Sequence, residues 1–205
     1  MLNSMAPNKV PDLPGLEEHA LMQGGYFDRT DAQTYGLSDR LLAYHSSTGR
    51  FERVFPGVYR LRRAPLAQND QYLQAWVWSN YRGAISHESA LALYDLSDVM
   101  PVQVHLTVPP DFRRRSAPFI LHWAELPKSD VTIHEGVQVT TPARSIVDAA
   151  AAGLGPEQVH TAVRQAIARA ITNADELRAA AARSRYRHRQ VVQPLIERAV
   201  ADAAA

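Results

Sequence analysis

Between Leu16 and Leu61 the spacing of apolar positions changes from helical to strand-like, and glycines mark the changes. A stretch beginning near Leu16 predicts a first helix that stops at Gly24-Gly25, because paired glycines favour a helix end. Tyr26-Phe27 supplies apolar anchors, and Thr30 stands where it can cap a short second helix over residues 31–35, with Asp31 near its positive end. Gly36 is placed for a tight turn. Ser38 then caps a third helix of about three turns, Gly49 stops it, and two short strands follow, joined by Pro56-Gly57.

At about 100° per residue, Ser38, Leu42, His45, Ser46 and Gly49 share one face of the third helix. Arg40, Tyr44 and Ser47 form a narrow stripe opposite, while Leu37 packs inward with Leu42. On the hairpin, Phe51, Val54 and Val58 can face a core. Helix, turn, helix and hairpin in this order outline a winged helix-turn-helix, whose recognition helix enters a DNA groove. The stripe has side chains suited to base edges and phosphates; it also has the composition of a plain solvated face. Arg53 and Arg60 flank the Pro-Gly turn and Arg62-Arg63 follow it. Such a wing can meet phosphates or the minor groove, or be an edge hairpin protected by charge.

The second half reads as a mixture. Leu66–Tyr81 predicts a helix with Leu73, Trp76 and Val77 on one side, and Ser86 caps another through Leu93. Strand-like runs cover residues 102–108, 118–123, 131–134 and 137–140. In the first, Gln103, His105 and Thr107 alternate with aliphatics, predicting one wet face. Residues 111–116 fit a hairpin tip with Arg113, Arg114 and Arg115 in solvent or on a phosphate or protein partner. Beyond Pro142 the chain is helical over residues 144–152, 157–171, a segment begun by Thr172–Asp175, and 189–201. The basic run Arg183–Arg189 suits a second nucleic-acid contact, a surface for an acidic partner, or a solvated connection.

Composition narrows the classes. The 205 residues are 46% apolar, enough for globular cores. Zero cysteines exclude disulfides, a thiolate nucleophile and cysteine-based zinc fingers. With no 18-residue apolar run and no secretory leader pattern, a soluble cytoplasmic protein without membrane contact is expected. The net charge of +1 hides a segregation. Residues 36–65 hold six arginines against two carboxylates, a local balance of +4, whereas residues 66–112 balance at −4. Separate surfaces for separate partners follow.

Catalytic chemistry is not evident. The eight histidines show no metalloprotease-type spacing. His87 stands at a helix start, where capping explains it, and His105 and His122 could meet across neighbouring strands, which weakly suggests a metal but reads better as an ordinary wet-face pair. A restriction-type nuclease site needs a carboxylate, then an acid and a lysine two residues apart. Glu125-Leu126-Pro127-Lys128 is one residue too long and carries a proline, and Lys9 is the only other lysine. No enzyme activity, cofactor or metal is expected.

Gly25-Tyr26-Phe27, Ala32, Gly36-Leu37-Ser38, the run Gly49–Val54 and the run Gly57–Leu61 resemble the N-terminal domain of AbiEi-family antitoxins. The runs Ile85–Leu91 and Val139–Ala150 resemble the family's later signatures, so the likeness spans roughly residues 16–175. It implies a type IV toxin–antitoxin autorepressor in phage defence, with a nucleotidyltransferase-like toxin and inverted-repeat operator DNA as partners. By position, the family's DNA-binding roles fall on Arg40, Tyr44, Ser47, Arg50, Arg53 and Arg60. Thr48, Arg62 and Arg63 complete the expected contact set. His45 departs from an aliphatic pattern, and Asp39 and Ala43 stand where basic residues are common. The expected fold is α+β: a flexible arm (1–15), a winged helix-turn-helix (16–65), and an α/β domain (66–205) with a small mixed or antiparallel sheet and C-terminal helices. A stand-alone regulator whose second domain senses a ligand is the alternative.

Overall fold

The computed structural model describes residues 10–114, 118–184 and 186–203, with residues 186 and 187 described by backbone alone. Most of the expected arm, Arg115 and Arg185 lie outside them. The chain divides into two compact units between Tyr81 and Arg82.

In the first unit, helix α1 (Leu13–Leu21) starts three residues before the expected position. Asp12 accepts from the Gly15 amide at 2.9 Å, and Pro14 suits the first turn. Strand β1 (Tyr26–Asp28) follows, then α2 (Arg29–Thr34) and α3 (Asp39–Ser47). Asp28, not Thr30, caps α2: Asp28 and Asp31 bond each other's backbone amides at 2.8 Å in a reciprocal box. Ser38 caps α3 as expected, accepting from the Leu41 amide. Strands β2 (Phe51–Phe55) and β3 (Val58–Leu61) form the wing. Gly57, at φ +81°, takes the turn position that needs a left-handed residue after proline. The sheet is antiparallel in the order β1-β3-β2. Its core gathers Leu16, Phe27, Leu37, Leu42, Phe51 and Leu61.

Helix α4 (Asp70–Trp78) belongs to this unit, which moves the division 16 residues beyond the expected boundary at residue 65. It packs on β1 and β3. Tyr26 Oη donates to Asp70 Oδ2 at 2.7 Å, and Gln74 Nε2 donates to both groups.

The second unit contains β4 (Ala84–Ile85), α5 (His87–Leu93), β5 (His105–Val108), β6 (Ile120–Trp123), β7 (Val131–His134) and β8 (Val137–Thr140). Four helices follow: α6 (Pro142–Ala151), α7 (Pro156–Ala168), α8 (Ala174–Ala182) and α9 (Tyr186–Ala203). The sheet is mixed, in the order β6-β5-β4-β8-β7. Strands β5 and β6 run parallel, so the segment between them is a crossover and not the expected hairpin tip. The expected wet face of β5 is also absent: all four of its residues are buried, and the side carrying His105 and Thr107 meets Ser86 and His87 at the start of α5. The end of the Arg183–Arg189 run enters α9, and Arg183 binds Asp130 at 2.7 Å. No helix among the described residues is long and apolar enough to cross a membrane.

Candidate nucleic-acid interface

Helix α3 is oriented by its own sequence. Leu42 is fully buried and His45 is 9% exposed, so this edge seats the helix on the unit's core. Arg40, Tyr44, Ser47 and Thr48 face outward, and Tyr44 is 59% exposed. The Ser47 and Thr48 hydroxyls donate back to the Tyr44 carbonyl at 2.8 and 3.1 Å. Their oxygens can still accept a hydrogen bond. Asp39, in the first turn of α3, forms a two-pronged pair with Arg29, whose Nε reaches Oδ1 at 2.7 Å.

The arginines of the expected contact set fall into three classes. Arg40, Arg53 and Arg62 are exposed and form no ion pair among the described residues. Arg50 and Arg63 are exposed but both donate to Glu17, Arg50 through Nε at 2.6 Å. A phosphate meeting these two must compete with a carboxylate that is itself largely buried.

Arg60 is a correction. It is only 6% exposed, donates to the Ala64 carbonyl, and lies over the Tyr26 ring with its guanidinium carbon 5.7 Å from the centroid. Val58 and Arg60 share one face of β3 because side chains alternate along a strand. That face is covered by α4, so Arg60 supports the sheet and is not offered to DNA. The signal was present in the sequence, since Val58 reads as core-facing and Arg60 stands two residues further on. Glu17 and Arg29 carried no such signal; their partners lie 33, 46 and 10 residues away.

His45 links the interface to the core. Its ring packs against Phe51 and Tyr44 at centroid distances of 5.3 and 5.2 Å. Burial, and then the Arg50 guanidinium, hold its pKa below the ordinary value of 6.5, while Glu17 acts the other way. The unfolded chain therefore binds this proton more readily than the folded one. Stability from His45 is complete above the unfolded value and is lost as pH falls from there toward the lowered folded value. Urea midpoints for the first unit should drop below about pH 6.5, and His45→Gln should shed part of that slope. An acid slope unchanged by the substitution would rule this out.

A capped helix beside a charged β-hairpin, on a small antiparallel sheet, defines a winged helix-turn-helix unit. Residues 16–62 match the family model described as "Transcriptional regulator, AbiEi antitoxin", so the first unit carries an AbiEi antitoxin regulator domain. The crystal structure of RV2827C protein from Mycobacterium tuberculosis superposes with a TM-score of 0.61 at 13% identity, covering 97% of this chain and 83% of that one. At that identity the likeness is one of fold. No curated protein sequence matches the chain.

Proposed function

We propose that the chain is an autorepressing antitoxin. Its first unit binds inverted-repeat operator DNA in the promoter of its own toxin–antitoxin operon, and the chain neutralises a nucleotidyltransferase-like toxin. The observation that carries the DNA reading is the exposed Arg40–Tyr44–Ser47 stripe on a capped helix beside the wing. In this reading Arg40, Tyr44 and Ser47 meet base edges, and Arg53 and Arg62 clamp phosphates. Arg50, Arg63 and Thr48 contribute at the margin, the two arginines by exchanging Glu17 for phosphate.

Fluorescence anisotropy on promoter and scrambled duplexes, between about 50 and 200 mM salt, tests the assignment. Arg53→Ala should weaken binding to both duplexes and flatten the salt slope by about 1. Arg40→Ala should cost about 1–3 kcal/mol on the promoter and relax sequence preference. Equal losses on the two duplexes for Arg40→Ala would sink the readout role.

A stand-alone regulator with a ligand-sensing second domain is the competing reading. It is favoured by a cavity of about 620 Å³ in the second unit, lined by residues including His87, Thr107, His122, Arg144 and Asp148. Growth rescue on co-expression with a toxin gene encoded beside this one supports the antitoxin; failure of rescue favours the sensor.

A further inference from the structure

Three histidines distant in sequence converge in the second unit. His105 of β5 and His122 of β6 lie on adjacent parallel strands, one pleat apart in register, and His122 Nε2 stands 3.2 Å from His105 Nδ1. His87, the first residue of α5, stacks on His122 at 3.5 Å between centroids and 14° between planes. One ring nitrogen from each of the three lies within 4.8 Å of those of the other two. Sequence spacing brought only the strand pair together; His87 joins it because β4 sits beside β5.

We propose that His87, His105 and His122 form a binding site for a divalent transition-metal ion of the zinc class. The ion is held by three imidazole nitrogens, and its fourth position opens into the cavity that His87 and His122 line. Two nitrogens on a tetrahedral zinc ion stand about 3.3 Å apart, with metal–nitrogen bonds of about 2.0–2.1 Å. The His105–His122 spacing already meets this. The widest spacing, no more than 4.8 Å, must close by up to about 1.5 Å, and the His87 ring must turn out of its stack on His122 before both lone pairs can point at one ion. Imidazole ligands suit zinc, copper, nickel and iron, and the chain has no cysteine to compete for a soft ion.

The surroundings favour this over inert core packing. His87 has φ +53°, a left-handed backbone uncommon outside glycine, at the residue that aims its ring into the cluster. Its Nδ1 lies 2.9 Å from Ser86 Oγ, which also accepts from Thr107 Oγ1 at 2.8 Å. In the tautomer that donates from Nδ1, the Nε2 lone pair is left for a metal, the arrangement that ordinarily orients ligating imidazoles. Two carboxylates, Glu125 and Asp148, line the cavity, Asp148 in an ion pair with Arg144.

The test uses the tag-free full chain, stripped with a chelator and titrated with CoCl₂ and then ZnSO₄. The expected result is one ion per chain, with the visible band of tetrahedral cobalt, displaced by zinc. His105→Gln and His122→Gln should each weaken binding at least tenfold, whereas His160→Ala, a histidine outside the cluster, should leave it unchanged. If circular dichroism shows that a glutamine variant does not fold, the wild-type Tm decides: zinc raises it if the site is real. A wild-type chain that neither binds cobalt saturably nor gains Tm with zinc overturns the proposal. So does binding that survives in folded glutamine variants.

Discussion

Asp130→Ala is expected to cost the second unit about 3–5 kcal/mol, the usual loss when one partner of a buried ion pair is removed. Asp130 is 1% exposed at the end of a single 3₁₀ turn, Lys128–Asp130. Its carboxylate accepts from Arg144 Nη1 of α6 at 2.9 Å and from Arg183 Nη2, just after α8, at 2.7 Å. Its carbonyl also receives the Thr141 amide at 2.9 Å, where β8 gives way to α6. One side chain thus ties together the entrance to β7, the start of α6 and the end of α8. The two arginines are not equally dependent on it. Arg183 is about half exposed and can turn to water, but Arg144 is mostly buried and, among the described residues, would keep only Asp148, at 2.8 Å. The penalty therefore comes chiefly from an excess positive charge and an unmet Arg144 hydrogen bond left in a dry place. Hydrogen exchange of the α6 and β8 amides under native conditions would read the loss in this unit alone. Asp130→Ala/Arg144→Met/Asp148→Ala should recover much of it, because no buried charge of the cluster is then left without its partner. A single-variant loss below about 1 kcal/mol, the range of an exposed pair, would defeat the argument.

The parts of the fold legible in the sequence are those governed by chemistry between near neighbours. Ser38, Gly49 and Pro56-Gly57 set the limits of α3 and the wing, and the structure keeps all three roles. Angular reading of α3 likewise separated the seated residues Leu42 and His45 from the exposed Arg40, Tyr44 and Ser47. Strands β1 and β4 were illegible because three and two residues carry no measurable periodicity, although each completes a sheet. The cap of α2 was misread because Asp28 and Thr30 are both competent caps, and only the reciprocal partner Asp31 decides between them. The wet face of β5 failed for a different reason: alternation of polar and aliphatic side chains describes a half-covered strand, but Thr107 and His105 bond or stack within the unit. The largest error at the interface, Arg60, arose from placing α4 in the other unit. With α4 removed, its face of β3 would be solvent; with α4 present, an arginine there becomes internal support.

Phe27→Ala is the second change expected to have a large effect, about 3–5 kcal/mol in the first unit, and it separates support of the interface from contact with DNA. Phe27 is fully buried in β1, meets Phe51 edge-on at 5.0 Å and stacks on Tyr59 at 5.6 Å. It belongs to the cluster that includes Leu42, the residue seating α3, and Phe51, the first residue of the wing. Removing the ring takes away transfer energy and leaves a cavity between the two elements whose relative placement defines the reader. A unit whose whole stability lies at the low end of the usual range, about 5 kcal/mol, would then be partly unfolded. Promoter binding should fall with the folded fraction and recover on cooling toward the temperature of greatest stability. Arg40→Ala, by contrast, should lose affinity at every temperature with the unit fully folded. Phe27→Leu, which keeps most of the volume, should lie close to the parent protein in both stability and binding. Anisotropy and circular dichroism on the same samples across temperature make the comparison. If promoter affinity of Phe27→Ala stays low where dichroism shows the unit fully folded, the ring does more than hold α3 against the wing.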